Sequence, residues 1–324
     1  MDTVVQIEES EIRDDGRTHA GRSRESCGGV GRNIANALIS LGLNGTRLIS
    51  VVGNDQPGKA IIKSLGDGAQ TVERLSNMST AKYTAIVNSR GECCFGIGEM
   101  EIFTAISPDL VKKYQSCVEE ASFIVLDGNL PLNTIQFVLD LASCSKIPVW
   151  YEPTDVKKAT KVFEAGSKWQ NALHIISPNK NELTAIAKYF GIPIPEHKAT
   201  NLEDIKIIAE QLAEIVPVII STLGSQGVLV VRRALGNSVF YDDEGKLAEN
   251  TSISSRLYPP VLHISEDSSE TYSVSGCGDC LTAGIIYGIH NNLNETNCLS
   301  LALKAAALSL TSFDAVPTSL SLLQ

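Results

Sequence analysis

The stretch ASFIVLDGNLPLNTIQFVLDLASCSKIPVWYEP, Ala121 to Pro153, decides the fold. Its first segment, 121–128, is a short apolar run rich in branched side chains and reads as a buried strand. After Pro131, LNTIQFVLDLASC (132–144) repeats apolar residues at helical spacing. IPVWYEP (147–153) is a second short apolar run. The same alternation continues outward. ALHIISPN (172–179), VPVIIST (216–222) and GVLVVRR (227–233) read as strands. NLEDIKIIAEQLAEI (201–215) reads as a helix with Ile205, Ile208, Leu212 and Ile215 on one side. Strand–helix alternation predicts an α/β fold with a mainly parallel sheet covered on both faces. Ligands on such sheets collect beyond the C-terminal ends of the strands.

The chain has 324 residues, 43% hydrophobic and 20% charged, enough for a large core. Its net charge of −10 and pI near 5.1 argue against a nucleic-acid-binding surface, and no Lys/Arg run suggests one. Eight cysteines, at 27, 93, 94, 117, 144, 277, 280 and 298, are too few for a disulfide scaffold of this size. With no secretory leader and no apolar run of about 18 residues, a cytoplasmic protein with reduced thiols and no membrane span is expected. The Asn-x-Ser/Thr matches at Asn44, Asn77, Asn250 and Asn294 then carry no glycan.

Two regions depart from the alternation. Residues 3–27 and 79–103 are polar and β-like, and AKYTAIVNSRGECCFGIG reads as two strands joined by a turn near Arg90-Gly91. Such a pair could form a flap over the edge of the sheet. YDDEGKLAENTSISSR (241–256) is polar and reads as a surface excursion. No internal repeat or low-complexity linker divides the chain.

The chemistry concentrates in SVSGCGDCLTAGIIYG, Ser273 to Gly288. Gly276 and Gly278 flank Cys277, and Asp279 opens a helical run. Glycines before a helix let backbone N–H groups converge on one point, where the positive helix end favours an anion. A carboxylate in that turn suits phosphoryl transfer, with amides stabilising the moving group and Asp279 taking a proton from the attacking hydroxyl. An Asp that merely caps a buried helix is the plainer alternative. The Cys277-x-x-Cys280 pair lacks a thioredoxin-like context, and no second Cys/His pair completes a zinc site. A thiol at a helix start is expected to have a lowered pKa, so ATP should slow alkylation of Cys277.

Other motifs are weaker alone. VVGNDQPGKA has Gly53-x-x-x-x-Gly58-Lys59-Ala60, one hydroxyl short of a P-loop, and reads as a turn into a surface helix. In SPNKNEL, Asn179 and Glu182 fit either a capping box or a pair ordering Mg2+-bound water near phosphates. Glu152 ends another strand at the same expected edge. Gly224 and Gly227 lie between two strands, as a plain turn or a close approach to nucleotide. CGGVGRNIANAL (27–38) places three glycines before a helix with Asn33 and Asn36 in its first turns, where amides could meet sugar hydroxyls.

The order of these motifs is specific. Gly-Gly-x-Gly-x-Asn is followed by Gly53-x-Asp55-x-x-Gly58, Asn179-x-x-Glu182, Thr222-x-Gly224-x-x-Gly227 and Gly276-x-Gly278-Asp279. Across nearly its whole length the chain resembles the PfkB, or ribokinase-like, carbohydrate and nucleoside kinases. The resemblance implies a doubly wound α/β/α domain over residues 1–324 with a small β lid. It implies Asp279 as catalytic base and Gly276, Cys277 and Gly278 as anion hole, with Cys where Ala is usual. It further implies Asn179, Thr222, Gly224 and Gly227 at the nucleotide, and Glu182 with Glu152 at the metal. Asp2, Gly29, Asn33 and Asn129 would be at the substrate. ATP and Mg2+ are the implied cofactors, with a monovalent cation such as K+ left open and a homodimer through the lid implied.

Within the family, GGVGRNIANAL, YTAIVNSRGE, EMEIF, LDGNLP and WYEPTDVKKA are most similar to pseudouridine kinases, in which Asn129 and the lid's Tyr83 would lie near the substrate. The implied reaction is ATP plus pseudouridine giving pseudouridine 5′-phosphate. A kinase for another ribosyl or sugar substrate and a silent nucleoside-binding form stay open. Two features depart from the family. Ser273-Val274-Ser275 replaces an acidic or Asn residue, and the first core strand is expected to be missing, leaving Asp2 on a frayed end.

Overall fold

The computed structural model describes all residues except 14, 90–92, 195–200, 234–238, 243–245, 248–251, 262–274 and 324. The turn expected at Arg90-Gly91 and residues Ser273 and Val274 lie outside the described residues. The chain forms two compact units.

The first unit comprises Met1–Ala105, Asp267–Cys280 and Leu308–Gln324. Its elements begin with β1 (Asp2–Ile7), β2 (Gly21–Ser26), α1 (Val30–Ser40) and β3 (Ser50–Gly53). They continue with α2 (Gln56–Leu65), β4 (Val72–Leu75), β5 (Lys82–Val87) and β6 (Cys93–Glu99). Four strands form one sheet in the order β2-β1-β5-β6, and β3 pairs with β4 in parallel. Asp2 is opposite Ser26 on one side and Tyr83 on the other, so it is not frayed. The Met1 ammonium donates to Ala81 O at 2.9 Å and anchors that end further.

The near-P-loop closes on itself. Asp55 caps α2 by accepting from Gly58 N at 2.9 Å, and also takes Thr80 N and Thr80 Oγ1 at 2.8 and 2.6 Å. A methyl on Gly58 would stand 2.2 Å from Gly53 O, so no space for a phosphate separates them. The helix that follows is amphipathic, with Ile61 and Leu65 buried beside Ala35, Val52 and Ala69.

The second unit comprises Ile106–Glu266 and Leu281–Ala307. It carries α3 (Pro108–Lys113), α4 (Gln115–Glu119), β7 (Ile124–Asp127), α5 (Leu132–Ser145), β8 (Val149–Glu152) and α6 (Trp169–Ala172). Then come β9 (Leu173–Ile176), α7 (Lys180–Tyr189), α8 (Leu202–Ala213), β10 (Val218–Thr222), β11 (Val228–Arg232) and β12 (Ser254–Tyr258). Six strands lie in the order β12-β11-β10-β9-β8-β7; β7 to β10 run parallel, while β11 and β12 are antiparallel additions. Val149, Trp150 and Tyr151 are each 0% exposed. Since successive strand side chains point to opposite faces, three buried in a row require both faces to be covered. On α8, Ile205, Ile208, Ala209 and Leu212 form the buried stripe, as the spacing predicts.

Residues 241–256 are not wholly an excursion, because Ser254–Tyr258 is the edge strand β12. An edge strand with one solvated side tolerates a polar sequence, so hydrophobic patterning does not reveal it. Two last helices, α9 (Cys277–His290) and α10 (Glu295–Leu310), close the order. Gly284 and Gly288 let them pack closely: an added methyl would stand 2.6 Å from Ala302 Cα or Cys298 Sγ.

Candidate active site

In the first unit the site is built on the start of α9. Gly276 has φ +83°, and a methyl there would lie 2.2 Å from Ala315 O, so only glycine fits. Ser309 Oγ and Cys280 Sγ donate to the same Ala315 carbonyl at 2.9 and 3.3 Å, pinning the turn. The first helical bond runs from Cys280 N to Gly276 O at 2.8 Å. The helix therefore supplies no acceptor for the amides of Cys277, Gly278 and Asp279. Beside Gly278 there is open space: nothing lies within 4 Å of where its Cβ would be.

Asp279 stands in that first turn. Its Oδ2 accepts from Asn33 Nδ2 at 2.8 Å. Asn33 is only 3% exposed and is placed by Gly29, whose φ of +96° turns the chain into α1. Arg32, from the same helix, donates from Nη1 to Asn33 Oδ1 at 2.9 Å. Asp2 reaches the same region from β1. Its carboxylate occupies the position of a side chain on Gly28, whose Cβ would be 1.9 Å from Asp2 Oδ2. Burial raises the Asp2 pKa, against the lowering influence of the N-terminal ammonium and Arg32. The first unit thus brings together Asp2, Gly29, Asn33, Gly276, Cys277, Gly278 and Asp279.

One expectation is reversed. The Cys277 thiol is not lowered but pushed up to about 11, chiefly by burial, with the neighbouring Asp279 carboxylate adding to it. Removing water disfavours the thiolate more than the helix end favours it. Cys280 is likewise pushed up to about 12 by burial, which leaves the C-x-x-C pair without a reactive thiolate at neutral pH.

The second unit carries another group at the C-terminal ends of its strands. Asn179 Oδ1 accepts from Asn181 N and Glu182 N at 2.9 and 3.0 Å, and Glu182 Oε2 accepts from Asn179 N at 2.8 Å. This reciprocal capping box starts α7. Burial raises the Glu182 pKa. Asn179 bridges to Thr222 across the parallel strand ends. Gly224 and Gly227 then turn the chain at φ +59° and +97° between β10 and β11. Glu152 accepts from Ser177 Oγ.

Among the described residues no group of three or more His, Cys, Asp or Glu could hold a metal ion by itself. Carboxylates this sparse, such as Glu182 and Glu152, would suit a Mg2+ ion only through water and phosphate oxygens. Asn129 lies after β7, where Lys158 Nζ donates to its Oδ1 at 2.8 Å and is paired with Asp155 at 2.6 Å. Arg32 and Lys158 are absent from the sequence-derived site. The signal for Arg32 was a cation inside a glycine-rich helix start, between Gly31 and Asn33.

A family model described as pfkB family carbohydrate kinase matches residues 1–246. The chain belongs to the pfkB family. Members transfer a phosphoryl group to an alcohol, in accord with a carboxylate set in an amide-rich turn. The pseudouridine kinase of Arabidopsis thaliana is 24% identical over 332 residues, covering 93% of this chain and 86% of that protein. The Escherichia coli pseudouridine kinase is 28% identical over 173 residues, 52% of this chain and 53% of that protein. Among solved structures, Arabidopsis thaliana ribokinase complexed with ribose and ATP matches with a TM-score of 0.74 at 19% identity, over 99% of this chain and 94% of that one. A Burkholderia thailandensis nucleoside kinase in complex with inosine matches with a TM-score of 0.65 at 17% identity, over 97% and 89%. The pfkB chain therefore has the ribokinase-like α/β/α fold. Among its described residues, no helix is long and apolar enough to cross a membrane.

Proposed function

We propose that this pfkB chain is an ATP-dependent kinase that phosphorylates the 5′-hydroxyl of pseudouridine. The observation that carries this reading is Asp279 in the first turn of α9, directly after the glycine turn at 276–278 and held by Asn33 at 2.8 Å. Asp279 removes the proton of the 5′-hydroxyl as its oxygen attacks the γ-phosphorus of ATP. The bond from that phosphorus to the bridging oxygen breaks, and ADP leaves with the electron pair. Amides at 276–278 receive the oxygens of the moving group, where charge builds up. Thr222, Gly224, Gly227 and Asn179 bind the nucleotide. Glu182 and Glu152 would hold a Mg2+ ion through water, and that ion would supply neutralisation of phosphate charge. Asp2 and Gly29 hold the sugar. Asn129 and Tyr83 read the base, whose ring N–H and carbonyl groups suit an amide and a phenol.

The acceptor rests on the names of the two pseudouridine kinase relatives, supported by the polar Asn129–Lys158–Asp155 cluster. A second reading, a kinase for another ribosyl substrate, is favoured by the fold match to a ribokinase. Incubating the protein with Mg-ATP and pseudouridine, uridine, adenosine, ribose or fructose, and following product mass, separates them. Pseudouridine should give the highest kcat/KM. No phosphorylated product from any of the five would overturn the kinase reading. We further propose a cytoplasmic homodimer through the sheet bearing β6, where Phe95 and Ile97 are 55% and 57% exposed. Light scattering that gives a monomer mass would remove it.

A further inference from the structure

Arg32 has a place in this site that its charge alone does not explain. Its guanidinium is half-buried in the first unit, and that burial lowers its pKa; an arginine nevertheless stays charged. Among the described residues its hydrogen-bond partners are neutral. Nη1 donates to Cys27 O at 3.0 Å and to Asn33 Oδ1 at 2.9 Å, and Nε donates to Ser64 Oγ at 3.3 Å. The Asn36 amide, with its oxygen toward Arg32, accepts from Nη2 at 3.3 Å and donates to Ser64 O at 2.8 Å. Three carboxylates, Asp2, Asp314 and Asp279, act on it through space and offset its charge. A cation so tied, to its own helix, to the loop before it and to α2, is a fixed point.

The consequence concerns the orientation of an amide. A guanidinium has only donors, so the atom of Asn33 that it meets must be the oxygen. The Asn33 nitrogen is then forced toward Asp279, whose Oδ2 it meets at 2.8 Å. If the amide turned over, its oxygen lone pairs would face the carboxylate and the two would repel. We infer that Arg32 is a positioning residue which, through Asn33, sets the direction of the Asp279 carboxylate. One Nδ2 hydrogen serves Asp279; the amide carries a second, which suits an acceptor hydroxyl oxygen beside that carboxylate. The inference rests on the reading of Asp279 as base and adds to it a relay, guanidinium to amide to carboxylate, that no motif reveals.

The test is a double-mutant cycle on Arg32→Gln and Asn33→Ala, with turnover counted per folded molecule. Arg32→Gln should lower kcat about 10- to 100-fold, as expected for a misdirected reacting group, with KM for ATP unchanged within about twofold. In the Asn33→Ala background the same change should cost nothing further. Losses that multiply, or an unchanged kcat in Arg32→Gln, would overturn the inference. Arg32→Lys keeps the charge but cannot span four acceptors, and should recover only part of kcat. Should the glutamine variant fail to fold, the lysine variant takes its place in the cycle. A second readout needs no turnover: the side-chain 15N–1H signals of Asn33 should shift on Asp279→Asn when Arg32 is present and stay unmoved when Arg32 is Gln. If the parent protein phosphorylates nothing while this signature is seen, the proposed reaction fails and the relay stands.

Discussion

Helices α7 and α9 each have an acidic residue in the first turn, Glu182 and Asp279. At α7 that residue folds back on its own helix: Glu182 takes Asn179 N, and Asn179 takes the next two amides it can reach. At α9 the preceding residue is Gly276, which has no side chain with which to cap, and the acidic group turns away to Asn33 on α1. The first helix start satisfies itself. The second leaves room: its glycine turn is held from behind by Ala315, and the space beside Gly278 is open. Sequence spacing alone makes the two look alike, yet one is a closed cap and the other leaves open the space that the proposed reaction needs.

The largest effect should come from removing the base. Asp279→Asn keeps the size and one acceptor for Asn33 while taking away the proton acceptor. Turnover should drop about 10²- to 10⁴-fold with ATP affinity retained, as measured by calorimetry beside steady-state rates. A variant with more than about a tenth of parental kcat would make Asp279 a cap like Asn179 and erase the contrast. The two glycines of the α9 turn should then part company. Gly276→Ala forces a methyl 2.2 Å from Ala315 O at φ +83°, and should destabilise the protein by about 1–3 kcal/mol from backbone strain alone. Gly278→Ala meets nothing within 4 Å, so its melting temperature should match the parent. Its methyl instead enters the space assigned to the phosphoryl group, and kcat should fall about 10-fold or more. Equal melting losses in both would show that this turn is structural.

The strand–helix alternation from Ala121 to Thr222 was readable because buried parallel strands consist of unbroken apolar runs and α8 keeps a strict helical stripe. The glycine turn at 276–278 was readable because a positive φ leaves few residue choices. Strand β12 was hidden by its half-solvated edge, which imposes no pattern. Arg32 was hidden for a different reason. Its meaning depends on Asp279, 247 positions away along the chain, and spacing along one helix cannot reveal a partner brought in by another. The thiol expectation failed because helix position can be read from sequence but burial cannot, and burial dominates at Cys277.

A smaller effect concerns the self-satisfied start. Burial holds the Glu182 pKa above 4.5, so in the pH range just above 4.5 the folded chain binds more protons than the unfolded one. Stability attributable to this group therefore falls as pH rises through that range and stays reduced at neutral pH. Glu182→Gln removes the buried charge while its side-chain oxygen still accepts from Asn179 N. Melting scans should put the variant level with the parent near pH 4 and above it at pH 7, while its Mg-ATP turnover declines. If the parent melts higher at pH 7, the charge is stabilised there and α7 is not the closed cap described.

The least dramatic test puts a probe at the open start itself. At a thiol pKa of about 11, only about one Cys277 in a thousand is thiolate at pH 8, against roughly a quarter of ordinary thiols near pKa 8.5. Iodoacetamide at pH 8 should therefore modify the exposed Cys94, Cys117 and Cys144 first, as peptide mass mapping would record. Cys277 labelling should keep rising about tenfold per pH unit to near pH 11, since each unit multiplies the thiolate fraction by that factor until the group is half ionised. ATP should then slow it both by occupying the turn and by its own negative charge, which lowers the small thiolate fraction further. Fast labelling of Cys277 at pH 8 would mean that the helix end outweighs burial. The α9 start would then act on its own side chain as strongly as it is proposed to act on a phosphoryl group.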